Sequence, residues 1–207
     1  MQTIILGPPG TGKTTRLLQL VEEYLEKGIL PKEIGYFAFT KRAANEAINR
    51  ACVKFNFEKD DIKYFQTLHS FAFRTLGINK DKVMGNNHYK HFGKLMGMQV
   101  GYASHQSEES DYFYSDSEYL KIIELAKARG VTTREQFDQN QHAGDVQWDY
   151  LDAFDRGLQQ YKREHDLLDF SDMLTQAIEN ATFPRFKVIF IDEAQDLSHL
   201  QWKLVQK

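Results

Sequence analysis

At 207 residues the chain has room for one α/β domain with a sizeable insertion, or for two small domains. Its 42% hydrophobic and 27% charged residues are ordinary for a globular protein, and no apolar run approaches the ~20 residues that span a bilayer. A formal net charge of −3 excludes a globally basic coat for nucleic acid, and the single cysteine, Cys52, excludes an internal disulfide or a cysteine-based zinc cluster.

Gln2-Thr3-Ile4-Ile5-Leu6 reads as a short buried strand with no basic leader before it, so a signal peptide is not expected and a reducing, cytoplasmic setting is. Gly7-Pro8-Pro9-Gly10-Thr11-Gly12-Lys13-Thr14 follows and fills every required position of the pattern G-x-x-x-x-G-K-[ST]. Lys13 to Lys27 reads as a helix with Leu17, Leu18, Val21, Tyr24 and Leu25 at helical spacing, closed by Gly28. A strand, a glycine turn and a helix N-terminus aim backbone N–H groups and the helix dipole at one point, where phosphate binds. Glycine is needed there because a side chain would block close approach. Gly7, Pro8, Pro9, Gly10, Thr11, Gly12, Lys13, Thr14 and Thr15 are therefore the expected ATP-binding residues. Lys13 would reach the β- and γ-phosphates, and the Thr14 hydroxyl would hold magnesium. The competing reading is a structural glycine turn before an ordinary helix.

Ile34-Gly35-Tyr36-Phe37-Ala38-Phe39 reads as a second strand ending at Thr40. A helix from Lys41 to Val53 follows, packed through Ala43, Ala44, Ala47, Ile48 and Ala51, with Cys52 as a small apolar residue on it. Lys63-Tyr64-Phe65-Gln66 suits a third strand, with a helix from Thr67 to about Leu76. Repeated strand-to-helix units are the grammar of a parallel sheet covered by helices.

From Gly77 to about His165 the chain is polar and mostly helical. Ser115-Asp116 suits the cap of a helix running to Arg129 and closed by Gly130. A longer helix is expected from Asp145 to Glu164, with Val146, Tyr150, Phe154, Leu158 and Tyr161 on one face. Tyr102 to Tyr114 reads as a loop. Asp169 caps a helix through Ser171, Met173, Leu174 and Ile178, and Pro184 breaks it. The expected organisation is an α/β domain formed by residues 1–77 plus 166–207, interrupted by a helical insertion at 78–165.

Val188-Ile189-Phe190-Ile191 is a final apolar strand that delivers Asp192-Glu193-Ala194-Gln195-Asp196 at its end. Beside a phosphate loop, Asp192 suits a magnesium ligand and Glu193 the group that polarises the attacking water. The plain alternative is a solvated carboxylate pair at a strand end. Gln195 and Asp196 also suit helix-start chemistry, with Asp196 or Ser198 capping the terminal helix.

Four further segments carry a family resemblance. Phe39-Thr40-Lys41-Arg42-Ala43-Ala44-Asn45-Glu46-Ala47 resembles motif Ia of UvrD/Rep-type superfamily 1 DNA helicases. Phe65-Gln66-Thr67-Leu68-His69-Ser70-Phe71-Ala72-Phe73-Arg74 resembles their T-x-H motif Ib. Leu168-Asp169-Phe170-Ser171-Asp172-Met173-Leu174 resembles the segment preceding motif II, and Ile191 to Asp196 resembles motif II itself, with Gln201 echoing a glutamine that often follows it. The segments stand in the family's order and cover nearly the whole chain. The resemblance implies a RecA-like P-loop ATPase domain (1A-like) carrying a helical 1B-like insertion, driven by ATP and Mg2+ on single-stranded DNA, with a duplex junction as a further candidate partner. It also implies that Gln195 joins Glu193 and Lys13 in the catalytic set, coupling the state of the γ-phosphate to the DNA-binding motifs. The family's Q motif lies upstream of the first strand, with which this chain begins. Its motif III, second RecA-like domain and arginine finger lie beyond motif II, shortly after which Lys207 ends the chain. A second RecA-like domain or partner chain is thus an expected partner.

Thr40, between a strand end and a helix start, suits a backbone phosphate, and the resemblance implies the same of Thr67 and His69. Arg42 and Arg74 complete the candidate DNA-binding set. His69 also reads as a core histidine, and both arginines as solvated helix charges. Lys80, Lys82, His88, Lys90, His91 and Lys94, interleaved with Tyr89 and Phe92, suit a nucleic-acid surface and equally an exposed helix face. The competing function classes are another P-loop ATPase, such as an AAA-type remodeller, and an accessory ATP-binding subunit that does not unwind.

Overall fold

The computed structural model describes residues 3–8, 10–101, 117–139 and 146–207. They form two compact units, one of residues 3–8, 10–71 and 182–197, the other of residues 72–101, 117–139, 146–181 and 198–207.

The first unit is built on a parallel sheet in the order β2-β1-β3, from β1 (Ile34–Ala38), β2 (Phe65–Thr67) and β3 (Val188–Ile191). Tyr36 lies opposite Phe65 on one side and Phe190 on the other, and Ala38 lies opposite Thr67. Because β1 is central, all five of its residues are buried, as expected of a parallel strand flanked on both edges. Helices α1 (Lys13–Glu26) and α2 (Lys41–Phe55) cover it through Leu18, Val21, Ala44, Ala47 and Ala51. The small alanines of α2 let its backbone approach the sheet closely, and Cys52 packs at the margin of this core. Phe37 turns the other way, into an aromatic cluster with Phe71 and Phe186, its ring centroid 5.0 Å from that of Phe71. This is an α/β fold of the RecA-like P-loop class.

The second unit is helical. It contains α4 (Asn86–Leu95), α5 (Glu118–Arg129), α6 (Thr133–Gln139), α7 (Trp148–His165), α8 (Phe170–Asn180) and α9 (His199–Val205). Of the helix α3 (Leu68–Leu76), residues 68–71 count with the first unit and residues 72–76 with the second. The helical core gathers Tyr89, Phe92, Leu120, Ile123, Leu151, Phe154, Leu158 and Tyr161. By contact this unit also takes in α8 and α9, which the sequence reading groups with the nucleotide-binding part.

Several local expectations need correction. Residues 3–6 form no strand: Ile4 is 71% exposed and Leu6 88% exposed. An apolar run becomes a strand only when a neighbour supplies its ladder. Among the described residues β3 is the outermost strand on that side of the sheet, and residues 3–6 do not pair with it. The cap of α5 is Ser117, whose hydroxyl accepts from the Leu120 N–H, whereas Ser115 and Asp116 lie outside the described residues, as does the loop expected at 102–114. The α7 face carries Leu151 where Tyr150 is expected, and Tyr150 is 65% exposed. Val146, Phe154, Leu158 and Tyr161 pack on the helical core as expected, so the one misplaced member of the stripe is Tyr150, whose place Leu151 takes. Of the two expected caps of the terminal helix, Ser198 is the one that serves, and Asp196 stays in the preceding 3-10 turn.

Candidate functional site

The phosphate loop and the strand-end carboxylates meet within the first unit. Gly12 sits at φ 84° and is the N-cap of α1; no side chain caps this helix and no acidic residue stands in its first turn. A left-handed N-cap of this kind suits glycine, and a helix start without its own carboxylate leaves the positive end of the dipole to an outside anion. At Gly7 the constraint is space, since a Cβ there would stand 2.6 Å from Thr11 Oγ1. That hydroxyl donates to the Pro8 carbonyl at 2.7 Å and ties the loop to itself. Gly10 is also left-handed, at φ 79°, whereas Pro9 lies outside the described residues.

Lys13 folds back over this loop. Its ammonium donates to the Gly7 carbonyl at 3.1 Å and to that of Pro8 at 3.4 Å, and lies 3.7 Å from Glu193 Oε1. The cation therefore rests on neutral carbonyls and one partly exposed carboxylate, contacts that a phosphate can replace. Thr14 Oγ1 donates to Asp192 Oδ2 at 2.8 Å, which joins α1 to the end of β3 across 178 residues of sequence. Thr15 Oγ1, on the next residue, accepts from Arg50 of α2 at 3.5 Å.

Asp192 is 3% exposed and is held at both oxygens. Oδ1 accepts from the Glu193 N–H at 3.1 Å, while Oδ2 accepts from Thr14 and, at 3.0 Å, from the Tyr36 hydroxyl. Burial, and next the Asp192 charge and hydrogen bond, push the Tyr36 phenol well above its ordinary range, so it acts as a donor. Glu193 follows at φ 52° and ψ 47°, a left-handed conformation unusual outside glycine. Its Oε2 accepts from Gln195 Nε2 at 2.7 Å, and the same amide reaches Asp196 Oδ2 at 3.2 Å.

A hydroxyl and a carboxylate oxygen side by side are hard donors, suited to magnesium, which takes one or two carboxylates and completes its shell with waters and substrate phosphates. Among the described residues no group of three or more His, Cys, Asp or Glu forms an all-protein metal cage. The paired oxygens of Thr14 and Asp192 fit a cation of that kind.

The candidate DNA contacts lie at the same sheet's strand ends and on the helices that follow. Thr40 is the N-cap of α2, its Oγ1 accepting from the Ala43 N–H at 3.1 Å. Thr67 Oγ1 accepts from the Ser70 N–H at 3.2 Å and donates to the Ser70 hydroxyl at 3.0 Å. Thr67 and His69 are buried, whereas Arg42 on α2 and Arg74 on α3 are exposed. Of the basic aromatic stretch, Tyr89 and Phe92 are buried in the helical core and cannot stack on bases. His88 caps α4 by accepting from the Gly85 N–H at 2.9 Å, and His91 Nδ1 lies 3.0 Å from the Tyr161 hydroxyl.

Two features escape the sequence reading. Tyr36 registers there only as a strand residue, although period-two alternation places it on the Phe65 and Phe190 face. The other is a set of four charges in the helical unit. Lys127 of α5 and Lys162 of α7 each contact both Asp169 and Asp172, with Asp169 Oδ2 receiving the two ammonium groups at 2.6 and 2.7 Å. The two aspartates also close a reciprocal box at the start of α8. Its D-x-x-D signature is readable, but its lysine partners are not.

Among the described residues no helix is long and apolar enough to cross a membrane. The sequence profile of the UvrD/REP helicase N-terminal domain matches residues 1–207. A comparison with curated protein sequences finds no match.

Proposed function

The chain belongs to the UvrD/REP helicase N-terminal domain family, and from that premise we propose that residues 1–207 form the ATP-binding motor half of a translocase that hydrolyses ATP with Mg2+ to move on single-stranded DNA. The observation that carries this is the 2.8 Å bond between Thr14 Oγ1 and Asp192 Oδ2, which brings the phosphate loop and motif II to one point. Gly7 to Thr15 would cradle the phosphates, and Thr14 and Asp192 would hold the magnesium. Lys13 would leave the Gly7 and Pro8 carbonyls for the β- and γ-phosphates. Glu193 would accept a hydrogen bond from the attacking water and align it, and Gln195, already on Glu193, would report whether a γ-phosphate is present. The bound magnesium supplies charge neutralisation at the phosphate oxygens.

In this reading residues 1–77 plus 166–207 serve as the 1A-like part and 78–165 as the 1B-like part. Thr40, Arg42, Thr67, His69 and Arg74 serve the DNA track, and the protein works in the cytoplasm. The family resemblance assigns the transition-state arginine to a second RecA-like domain, and such a residue is worth ~10³–10⁵-fold in rate. Residues 1–207 by themselves should therefore bind ATP yet turn it over feebly and separate no strands. ATP turnover measured with and without single-stranded DNA, for these residues alone and with a second-domain partner, tests the proposal. DNA-stimulated turnover that needs the partner supports it. Robust unwinding by monodisperse residues 1–207 overturns it.

A further inference from the structure

We propose that Tyr36 is a positioning residue for the metal-facing carboxylate: its buried hydroxyl fixes Asp192 Oδ2 in the orientation that magnesium–nucleotide binding requires. The proposal rests on the nucleotide-site reading above and extends it to a residue inside the sheet.

Tyr36 has 0% exposure and stands in the middle of the central strand. Its ring stacks on Phe65 with centroids 5.0 Å apart and planes at 20°, and leans on Phe190 at 6.5 Å and 35°. Tyr36 belongs to the buried apolar cluster of the first unit, and against Phe65 and Phe190 a phenylalanine ring would pack as well. A hydroxyl buried in such surroundings is costly unless it finds a partner. Its partner here is Asp192 Oδ2 at 3.0 Å.

The carboxylate has matching needs. At 3% exposure it has lost its water, and it meets three donors: the Glu193 N–H on Oδ1, and the Thr14 and Tyr36 hydroxyls on Oδ2. These donors differ in what holds them. The Glu193 N–H belongs to a left-handed turn, and Thr14 to the first turn after the phosphate loop. Tyr36 alone is anchored in the sheet, by ladders on both sides and by two aromatic neighbours. It therefore holds the carboxylate plane through a bond independent of the loop. Removing such an outer partner of a ligating carboxylate typically weakens metal binding by about 10–100-fold.

The test is Tyr36→Phe in the 207-residue chain, which keeps the ring and removes one oxygen. Manganese serves as the metal probe, its binding in the presence of ADP read by electron paramagnetic resonance. Nucleotide affinity is measured separately with magnesium and with EDTA. The expected result is a loss of about 10-fold or more in manganese affinity and in the magnesium-dependent part of nucleotide affinity, with EDTA binding at the wild-type level. Manganese affinity within about twofold of wild type overturns the proposal, being far below the effect of such partners. Equal losses with magnesium and with EDTA also overturn it, since Tyr36 would then act on the loop or the fold. So does loss of the cooperative thermal transition, which would make the hydroxyl a folding group. The wild-type arm separates this from the parent reading: a wild-type chain that binds no nucleotide under either condition overturns the nucleotide site itself, and Tyr36 with it.

Discussion

Gln195 Nε2 donates to Glu193 Oε2 at 2.7 Å, so a neutral amide sits on one oxygen of the carboxylate that the proposed mechanism turns toward water. The other oxygen lies 3.7 Å from the Lys13 ammonium. Both contacts come from groups that the proposed mechanism assigns to the γ-phosphate. Glu193 is held in a left-handed backbone while waiting, and backbone of that kind in a non-glycine residue costs of order 1–3 kcal/mol and gathers at functional sites. Glu193→Gln keeps the size of the side chain and removes its charge. In a complete motor it should preserve nucleotide binding and abolish turnover, as read by equilibrium titration beside steady-state hydrolysis. Loss of binding in step with turnover would assign Glu193 to the architecture of the turn.

Lys13 has few ties of its own. Its ammonium rests on two backbone carbonyls and a half-exposed carboxylate, none of which the fold requires it to hold. Lys13→Ala should therefore leave thermal stability close to wild type while removing most ATP and ADP affinity, because the phosphate charge loses its main cation. A titration in which affinity survives the substitution would defeat the phosphate-loop assignment.

How far the sequence carries depends on the kind of contact. The phosphate loop, α1, α2 and the motif II strand follow from short-range patterns: glycine spacing, alanine stripes and an apolar run ending in carboxylates. The segment at residues 3–6 misleads because strand identity resides in a ladder, and apolar residues alone do not say whether a neighbour pairs with them. Ser117 replaces the expected cap because Ser115, Asp116 and Ser117 are chemically interchangeable as caps, and only backbone geometry chooses among them. Tyr36 and the Lys127–Lys162 pair escape for a different cause. Their partners lie 156, 42 and 7 residues away, and no local pattern encodes a hydrogen bond of that kind.

Thr40 and Thr67 serve as caps of the helices that follow them. Each accepts a backbone N–H from the turn that follows, so replacing either with alanine should cost about 1 kcal/mol of stability. Chemical denaturation measures this directly. On the proposed function the chain should also bind single-stranded DNA weakly, without sequence preference, and less tightly as salt rises, since phosphate contacts release counterions. Thr67 and His69 substitutions should then weaken binding alike for every sequence. A preference for one base sequence, or affinity indifferent to salt, would contradict a phosphate track.

The buried charges of the helical unit set its pH limits. Burial alone would raise the Asp169 carboxyl, but the Lys127 and Lys162 charges and hydrogen bonds outweigh it and hold it well below the usual carboxylate range. Burial likewise opposes the Lys127 charge, and Asp169 and Asp172 overcome it and hold that ammonium above its usual range. A carboxyl depressed in the folded state contributes stability that is fully present above its unfolded pKa of ~3.9 and is lost as pH falls toward the folded value. A raised lysine contributes stability that is fully present below ~10.4 and is lost as pH rises toward its folded value. Stability from this set should thus be level between about pH 5 and 9 and decline outside that window. Lys162, with its side chain 4% exposed, is the most buried of the four. Lys162→Ala should destabilise at neutral pH by less than the ~3–5 kcal/mol of a fully stranded buried charge, because Asp169 keeps its burial and Lys127 but loses Lys162. Part of that cost should return in Lys162→Ala/Asp169→Asn, where the carboxylate that has lost one of its two lysines is neutralised. Urea denaturation of the wild type and both variants at pH 7 and pH 3.5 separates the outcomes. Lys162→Ala as stable as wild type at pH 7 would show that Lys162 adds no net stability to the helical unit.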